Sequence, residues 1–255
     1  MKILSVNINS IRARIESFIA VLESKEYDVI AVQEIKVDDA NFPHSLFDAS
    51  GHNIKVFGQK SYNGVAVFSK FSIEDVVRGM PGYADANARV LECVIDGRLR
   101  LINVYMPNGE SIDSPKFPYK IEWMDKFTEY IRQYADSEEP VVICGDFNVA
   151  IKDEDVWNPR SFEGSSITAP AARRIMQGWL DNGWEDCFRR FNPGATGFTW
   201  FAYYPHAVGK NQGLRLDYCL SNKSAGHLIK NCYIDMYLRN VARPTDHAGL
   251  ALELK

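Results

Sequence analysis

No stretch of this 255-residue chain is apolar over the length a membrane-spanning helix requires. Cysteine is sparse and scattered: Cys93, Cys144, Cys187, Cys219 and Cys232 are odd in number and form no Cys-x-x-Cys pair. That argues against a disulfide framework or a zinc site and fits a reducing cytoplasm. Thiols placed this way read as small core residues. A charged-then-apolar leader is missing too, so no signal peptide is expected. Neither repeat, low-complexity segment nor linker is visible, and one domain over residues 1–255 is the simplest organisation. The positive charge that advertises a nucleic-acid binder is also absent, the net charge being −4. That exclusion is weak. Four carboxylates gathered around a divalent cation would account for much of the acidic excess and leave room for a local basic face.

The most informative stretch is Pro140 to Val149, a β-branched apolar run that meets Gly145 and then Asp146 and Asn148. At a strand end, residues i and i+2 point the same way, so the acid and the amide face one place. Gly-Asp-Phe-Asn is equally good turn chemistry. The choice between turn and site depends on whether other strands end alike. Lys2 to Asn9 alternates Leu4, Val6 and Ile8 with Ser5, Asn7 and Asn9. Asparagine is disfavoured in strand interiors, so the two amides mark either an edge or a site. Ser10 is placed to cap a helix carrying Ile11, Ile15, Phe18, Ile19 and Leu22. Tyr27 to Val32 reads as a buried strand ending in Gln33-Glu34. Further strands are predicted at 52–57, 65–69, 73–77, 89–95 and 99–105, the last ending in Tyr105-Met106-Pro107-Asn108. A helix over 116–135 carries Trp123, Phe127 and Ile131 on a core stripe. Thr168 can cap a helix with Pro170 in its first turn. Asp217 opens a strand, and Thr245-Asp246-His247 leads into the last one.

Collected, the strand ends carry Asn7, Asn9, Glu34, Tyr105, Asn108, Asp146, Asn148, Asp217, Asp246 and His247. The set is oxygen-rich, with one histidine and no thiol. It suits a hard cation such as Mg²⁺, with Mn²⁺ able to substitute, held by carboxylates, water and substrate phosphate. The amides and the tyrosine can hydrogen-bond charge developing on a phosphate, and His247 is an acid–base or phosphate-contact candidate.

Six blocks resemble the exonuclease III family of abasic-site endonucleases, within the endonuclease/exonuclease/phosphatase superfamily. They are Ser5–Arg12, Val32–Lys36, Asn103–Glu110, Gly145–Asn148, Leu214–Tyr218 and Thr245–His247, in family order across nearly the whole chain. Ser10, Thr245 and Gly249 depart from common family choices without removing a functional group. The resemblance implies an α+β, four-layer αββα sandwich of two mostly antiparallel sheets flanked by helices. It implies Mg²⁺ on Glu34 with Asn7, Asn9 and Asp246 nearby, and with Asp146 and Asn148 completing the candidate ligands. Asp146, oriented by Asn7, would activate or align the attacking water. Asn148, Tyr105 and His247 would stabilise the phosphate, with Asp217 holding His247. Whether the base is the aspartate or the histidine stays open, as does one metal against two.

Substrate contacts follow less directly. Aromatics beside basic residues, from Phe198 through Tyr204 to Arg215, can stack on a sugar while cations hold phosphates. About half of those aromatics are expected in the core. By resemblance, Trp200, Leu214 and Leu216 line a pocket for a flipped abasic sugar. Asn108, Lys60, Arg89, Lys116, Lys120 and Arg215 are the candidate DNA contacts. The expected activity is Mg²⁺-dependent cleavage 5′ to abasic sites in duplex DNA and removal of nucleotides or blocking groups at 3′ ends, by a cytoplasmic monomer without membrane contact. The alternatives are a phosphatase of the same superfamily acting on a small molecule or lipid, and a non-catalytic DNA-binding relative.

Overall fold

Successive residues of these strands serve different cores, because side chains alternate across a strand. The computed structural model describes residues 1–204 and 206–255. The chain opens with β1 (Lys2–Asn7), α1 (Ile15–Glu23), β2 (Val29–Gln33), β3 (Asn53–Phe57) and β4 (Val65–Ser69). It continues through β5 (Ile73–Arg78), β6 (Val90–Ile95), β7 (Leu99–Tyr105), the long helix α2 (Lys116–Ala135) and β8 (Val141–Asp146). After α3 (Pro170–Asp181), β9 (Glu185–Asp186) and α4 (Cys187–Phe191) comes a small hairpin, β10 (Trp200–Phe201) with β11 (Gly213–Leu214). The last elements are β12 (Asp217–Ser221), α5 (Lys223–Gly226), β13 (Ile229–Asp235) and β14 (Gly249–Leu254).

Two six-stranded sheets result, ordered β13-β14-β1-β2-β4-β3 and β5-β6-β7-β8-β12-β9. Each contains one parallel pair, β1–β2 and β7–β8, among antiparallel neighbours. Between the sheets lie Ile3, Val29, Ala31, Val65 and Val67 from the first and Leu101, Val142, Cys144 and Cys219 from the second. The intervening residues Leu4, Val6, Ile30 and Val32 face outward onto Phe18, Val21 and Leu22 of α1. Ile102, Val104, Val141 and Ile143 face outward onto Trp123, Phe127 and Ile131 of α2 and Met176 and Trp179 of α3. This is the four-layer αββα sandwich. All five cysteines are free and buried. Among the described residues, no helix is long and apolar enough to cross a membrane.

The polar face of β1 is therefore buried, against the usual rule that polar positions face water. Ser5 is part of a polar clasp between the sheets. The Gln33 amide donates to Ser5 Oγ at 3.1 Å and to Asn103 Oδ1, on the opposite sheet, at 2.8 Å. Asn103 in turn donates to the carbonyls of Val32 and Ala66 at 3.1 and 2.9 Å. The apolar inter-sheet core ends at this clasp, and beyond it lie the functional strand ends.

Two helix starts differ from expectation. Ser10, at φ +86°, caps only the tight turn at Arg12–Arg14, its hydroxyl accepting from the Ala13 N–H at 3.4 Å, and α1 begins after that turn, because the chain must first turn over the end of β2. Thr168 does not cap α3; its hydroxyl donates to the Phe162 carbonyl at 2.6 Å.

Replacing Asn103 with Leu removes its donors to the buried Val32 and Ala66 carbonyls and the acceptor that Gln33 reaches on the opposite sheet. It is expected to cost about 2–3 kcal/mol in urea unfolding. An unchanged midpoint would mean that the clasp carries no stability.

Candidate active site

Sheet register brings the strand ends together. On the second sheet Tyr105, Asp146 and Asp217 stand side by side on adjacent strands, as paired residues of β7, β8 and β12. On the first sheet Asn7 is paired with Gln33, and Glu34 follows directly. The two rows meet across the sandwich, where Asn7 Nδ2 donates to Asp146 Oδ2 at 3.0 Å.

The pleat does not bring Asn9 beside Asn7, nor Asn148 beside Asp146. β1 ends at Asn7 and β8 at Asp146, and Asn9 and Asn148 have left-handed backbones, at φ +46° and +50°. Each pair forms the same turn, in which the Asn9 N–H donates to Asn7 Oδ1 at 3.0 Å and the Asn148 N–H to Asp146 Oδ1 at 2.9 Å. Turn and site are thus the same feature. Gly145 permits it, because a Cβ there would lie 1.9 Å from the Val104 carbonyl.

Asp146 and His247 are 2% and 4% exposed, so their charges are settled by neighbours rather than by water. His247 Nδ1 lies 2.8 Å from Asp217 Oδ2, and its Nε2 lies 3.7 Å from Asp146 Oδ2. Burial alone would lower the imidazole pKa, but Asp217, Asp146 and Asp246 outweigh it and lift it to about 10. Burial lifts the Asp146 carboxyl to about 7, against the pull of His247. A carboxyl poised near neutrality beside a protonated imidazole can exchange protons with a reacting group.

Glu34 and Asp246 lie on the first-sheet side. The Tyr105 hydroxyl donates to Glu34 Oε1. Lys36 Nζ stands 3.1 Å from Glu34 Oε2 and 2.6 Å from Asn9 Oδ1. Asn9 Nδ2 donates to Asp246 Oδ1 at 3.0 Å, and Trp200 Nε1 donates to Asp246 Oδ2 at 3.1 Å. Glu34, Asn9 and Asp246 are therefore joined as an oxygen-rich shelf that already accommodates an ammonium. That chemistry fits a hard divalent cation. Asp146, Asp217 and His247 form another tight cluster, with potential ligand atoms within 4.8 Å of one another. There the histidine is drawn to its cationic form, which does not ligate metal.

With this geometry in place, the chain can be compared with known proteins. Residues 4–247 match the Endonuclease/Exonuclease/phosphatase family. The exodeoxyribonuclease III of Haemophilus influenzae is 34% identical, with both chains covered in full. This chain belongs to the exonuclease III branch of that family. A DNA-(apurinic or apyrimidinic site) endonuclease of Dictyostelium discoideum is 28% identical over 99% of this chain and 70% of its own length. Among solved structures, a 3′-5′ exonuclease from Neisseria meningitidis superposes with a TM-score of 0.95 at 34% identity, covering both chains fully. An AP endonuclease from Archaeoglobus fulgidus also gives 0.95, at 31% identity, covering 100% of this chain and 99% of its own.

In this exonuclease III family member the candidate DNA contacts divide in two. Lys60, Lys116 and Asn108 are exposed, and Lys116 and Asn108 border a cleft of about 410 Å³ beside Tyr105, which the mostly buried Arg89 also lines. Lys120 and Arg215, expected as DNA contacts, are enclosed instead. Arg89 donates to the Tyr105 carbonyl and the Tyr119 hydroxyl, both at 3.2 Å, and so supports Tyr105 from behind. Lys120 is wholly buried among backbone carbonyls. Arg215 pairs with Asp155 at 2.7 Å and Asp186 at 2.6 Å. Alternation explains the last case. Leu214 and Leu216 pack with Trp200, Ala150 and Val156, so Arg215 between them must face the other way. Of the aromatic run, Phe198 and Phe201 are core, Trp200 is half-buried, and Tyr203 and Tyr204 are exposed. Pro205 lies outside the described residues.

Two supporting residues escaped the sequence reading. Lys36, in the same segment as Glu34, joins Glu34 to Asn9. The Thr199 hydroxyl accepts from the backbone N–H groups of Leu216 and Asp217, both at 3.1 Å, and fixes the start of β12. A threonine inside an aromatic run carries no signal of that role.

Arg215→Met removes the guanidinium between the buried carboxylates Asp155 and Asp186, leaving Asp155 with Arg189 alone and Asp186 with no ion-pair partner among the described residues. It should lower unfolding stability by about 3–5 kcal/mol, with little change in the salt dependence of DNA binding. A flatter salt dependence with native stability would restore Arg215 as a phosphate contact.

Proposed function

We propose that this protein hydrolyses DNA phosphodiesters, cutting duplex DNA 5′ to abasic sites and removing nucleotides or blocking groups from 3′ ends during base excision repair. The observation that carries the reading is the buried relay Asn7–Asp146–His247–Asp217 at a rim lined with amide donors, in a chain whose relatives are named for these activities. Asp146 accepts or aligns the proton of the attacking water as its oxygen bonds to phosphorus and the bond to the 3′ oxygen breaks. Asn7 orients that carboxylate. His247, held by Asp217, and the amides of Asn148 and Asn108 stabilise the charge that accumulates on the phosphate oxygens. Tyr105 adds a hydroxyl beside Glu34. Mg²⁺ bound at Glu34, Asp246 and Asn9 would supply further positive charge against the phosphate, with Asn7, Asp146 and Asn148 within reach of the same shelf.

Trp200, half-buried over the enclosed Leu214 and Leu216, forms the wall against which a base-free sugar packs, and a missing base makes extrusion from the duplex cheap. Lys60, Lys116 and Asn108 hold flanking phosphates, so binding weakens as salt rises. The 255 residues act as one catalytic unit, monomeric and cytoplasmic.

The test is a 5′-labelled duplex carrying one abasic analogue, beside an intact duplex and a 3′-phosphate duplex, each with Mg²⁺ and with EDTA. A single Mg²⁺-dependent cut 5′ to the lesion is expected, and no cleavage of any substrate by folded, metal-supplied protein would refute the reading. Asp146→Asn should cut kcat by roughly 10³-fold while duplex binding stays close to native. Near-native turnover would remove Asp146 from the chemistry.

A further inference from the structure

Lys120 is the buried lysine of this fold. It sits in the second turn of α2 with no exposed surface. Among the described residues no carboxylate forms an ion pair with it. Burial draws its pKa down to about 7, against the pull of Asp146, and its Nζ lies within hydrogen-bond distance of three main-chain carbonyls, those of Asn108 at 3.0 Å, Asn148 at 2.7 Å and Ser166 at 3.3 Å. The three acceptors lie in two connections, Asn108 after β7 and Asn148 and Ser166 near the two ends of the segment between β8 and α3. The Ser166 hydroxyl donates to the same Asn108 carbonyl at 2.5 Å. The loop after β7 rests directly on the lysine stem. A Cβ at Gly109 would lie 2.8 Å from Lys120 Cδ, and Gly109 is at φ +78°.

Burying an ammonium without a carboxylate partner costs several kcal/mol. A methionine would fill similar space at no such cost, so stability alone does not call for a lysine here. The side chains on the clamped loops suggest why it is there. Asn108 Nδ2 donates to Asn148 Oδ1 at 2.9 Å, and Asn148 Nδ2 donates to the Met106 carbonyl at 3.0 Å and lies 3.2 Å from Asp146 Oδ2. Asn148 is held at φ +50°, so its amide direction depends on a backbone conformation that needs support.

We propose that Lys120 is a positioning residue: its buried ammonium locks the main chains of Asn108 and Asn148 to each other, and so aims both amides at the scissile phosphate. This rests on the phosphodiesterase reading above, in which those amides meet the phosphate. Lys120 itself never touches DNA. It differs in this from Lys116, one turn earlier at the exposed start of the same helix.

The experiment uses the full chain with Lys120→Met, Asn148→Ala and the double variant, on the abasic duplex with Mg²⁺. Lys120→Met is expected to lower kcat by roughly 100-fold, as a misplacement of about 1 Å does, with KM and duplex affinity nearly unchanged. Asn148→Ala should then cost far less in the Lys120→Met background than in the native one, because the two act through one amide. Native kcat in Lys120→Met, or additive losses, would overturn the proposal. If Lys120→Met does not fold, Ser166→Ala takes its place. Its kcat loss should be non-additive with Asn108→Ala, and additivity again overturns the clamp. If native protein cuts no abasic duplex, the activity reading fails by itself. The clamp is then read from the side-chain amide NMR resonances of Asn108 and Asn148, which must shift in the Lys120 or Ser166 variant; unmoved resonances refute it.

Discussion

An amide and a carboxylate meet across the gap between two sheets. Asn7 donates to Asp146 at 3.0 Å, and both groups are almost fully buried. A carboxylate that deep must find donors or a proton. Asp146 finds the Asn7 amide, the Asn148 N–H and the His247 ring, and burial still lifts it to about 7. The reactive character of the rim follows from that placement. The sandwich buries the strand ends, and the polar groups there have only one another to pair with.

Holding those groups in place strains the backbone. Asn9, Glu34, Lys36 and Asn148 all adopt positive φ, a conformation that costs L residues roughly 1 kcal/mol or more each. Asparagine tolerates it best, since its short side chain can bond its own backbone. Glutamate and lysine have no such excuse. They are held there by the Ile35 and Lys36 N–H groups, which donate to the Gly64 and Asn63 carbonyls, and by the contacts of Tyr105 and Asn9. Positive φ recurs elsewhere in the chain, as at Lys25, Asp75 and Asp96, but at this end of the sandwich it coincides with the polar groups of the site.

The cations are sorted by depth. Arg215, Lys120 and Arg89 look like nucleic-acid contacts in the sequence, yet each is spent on the scaffold around the site. Arg215 anchors the segment that presents Leu214, Leu216 and Asp217, Lys120 joins the connections after β7 and after β8, and Arg89 backs Tyr105. A nearly neutral chain can therefore serve an anionic substrate with few exposed basic residues, provided the interior ones keep the neutral donors aimed.

Strand alternation, the 116–135 helix and the polar residues at strand ends were legible in the sequence because they are local. Leu4 and Val6 declare one face of β1 without reference to anything else, and Gly-Asp-Phe-Asn declares its turn. The six ordered blocks were enough to name the family and its sandwich. Only the tertiary structure decided which polar residues share a neighbourhood, since Asn7 and Asp146 are 139 positions apart. It also decided that Asn9 and Asn148 reach the rim through left-handed turns rather than the pleat, and that Lys120 and Arg215 point inward. A charged side chain in a sequence announces its charge and not its depth. The packing around it determines whether that charge meets water, a phosphate or the carbonyls of its own loops.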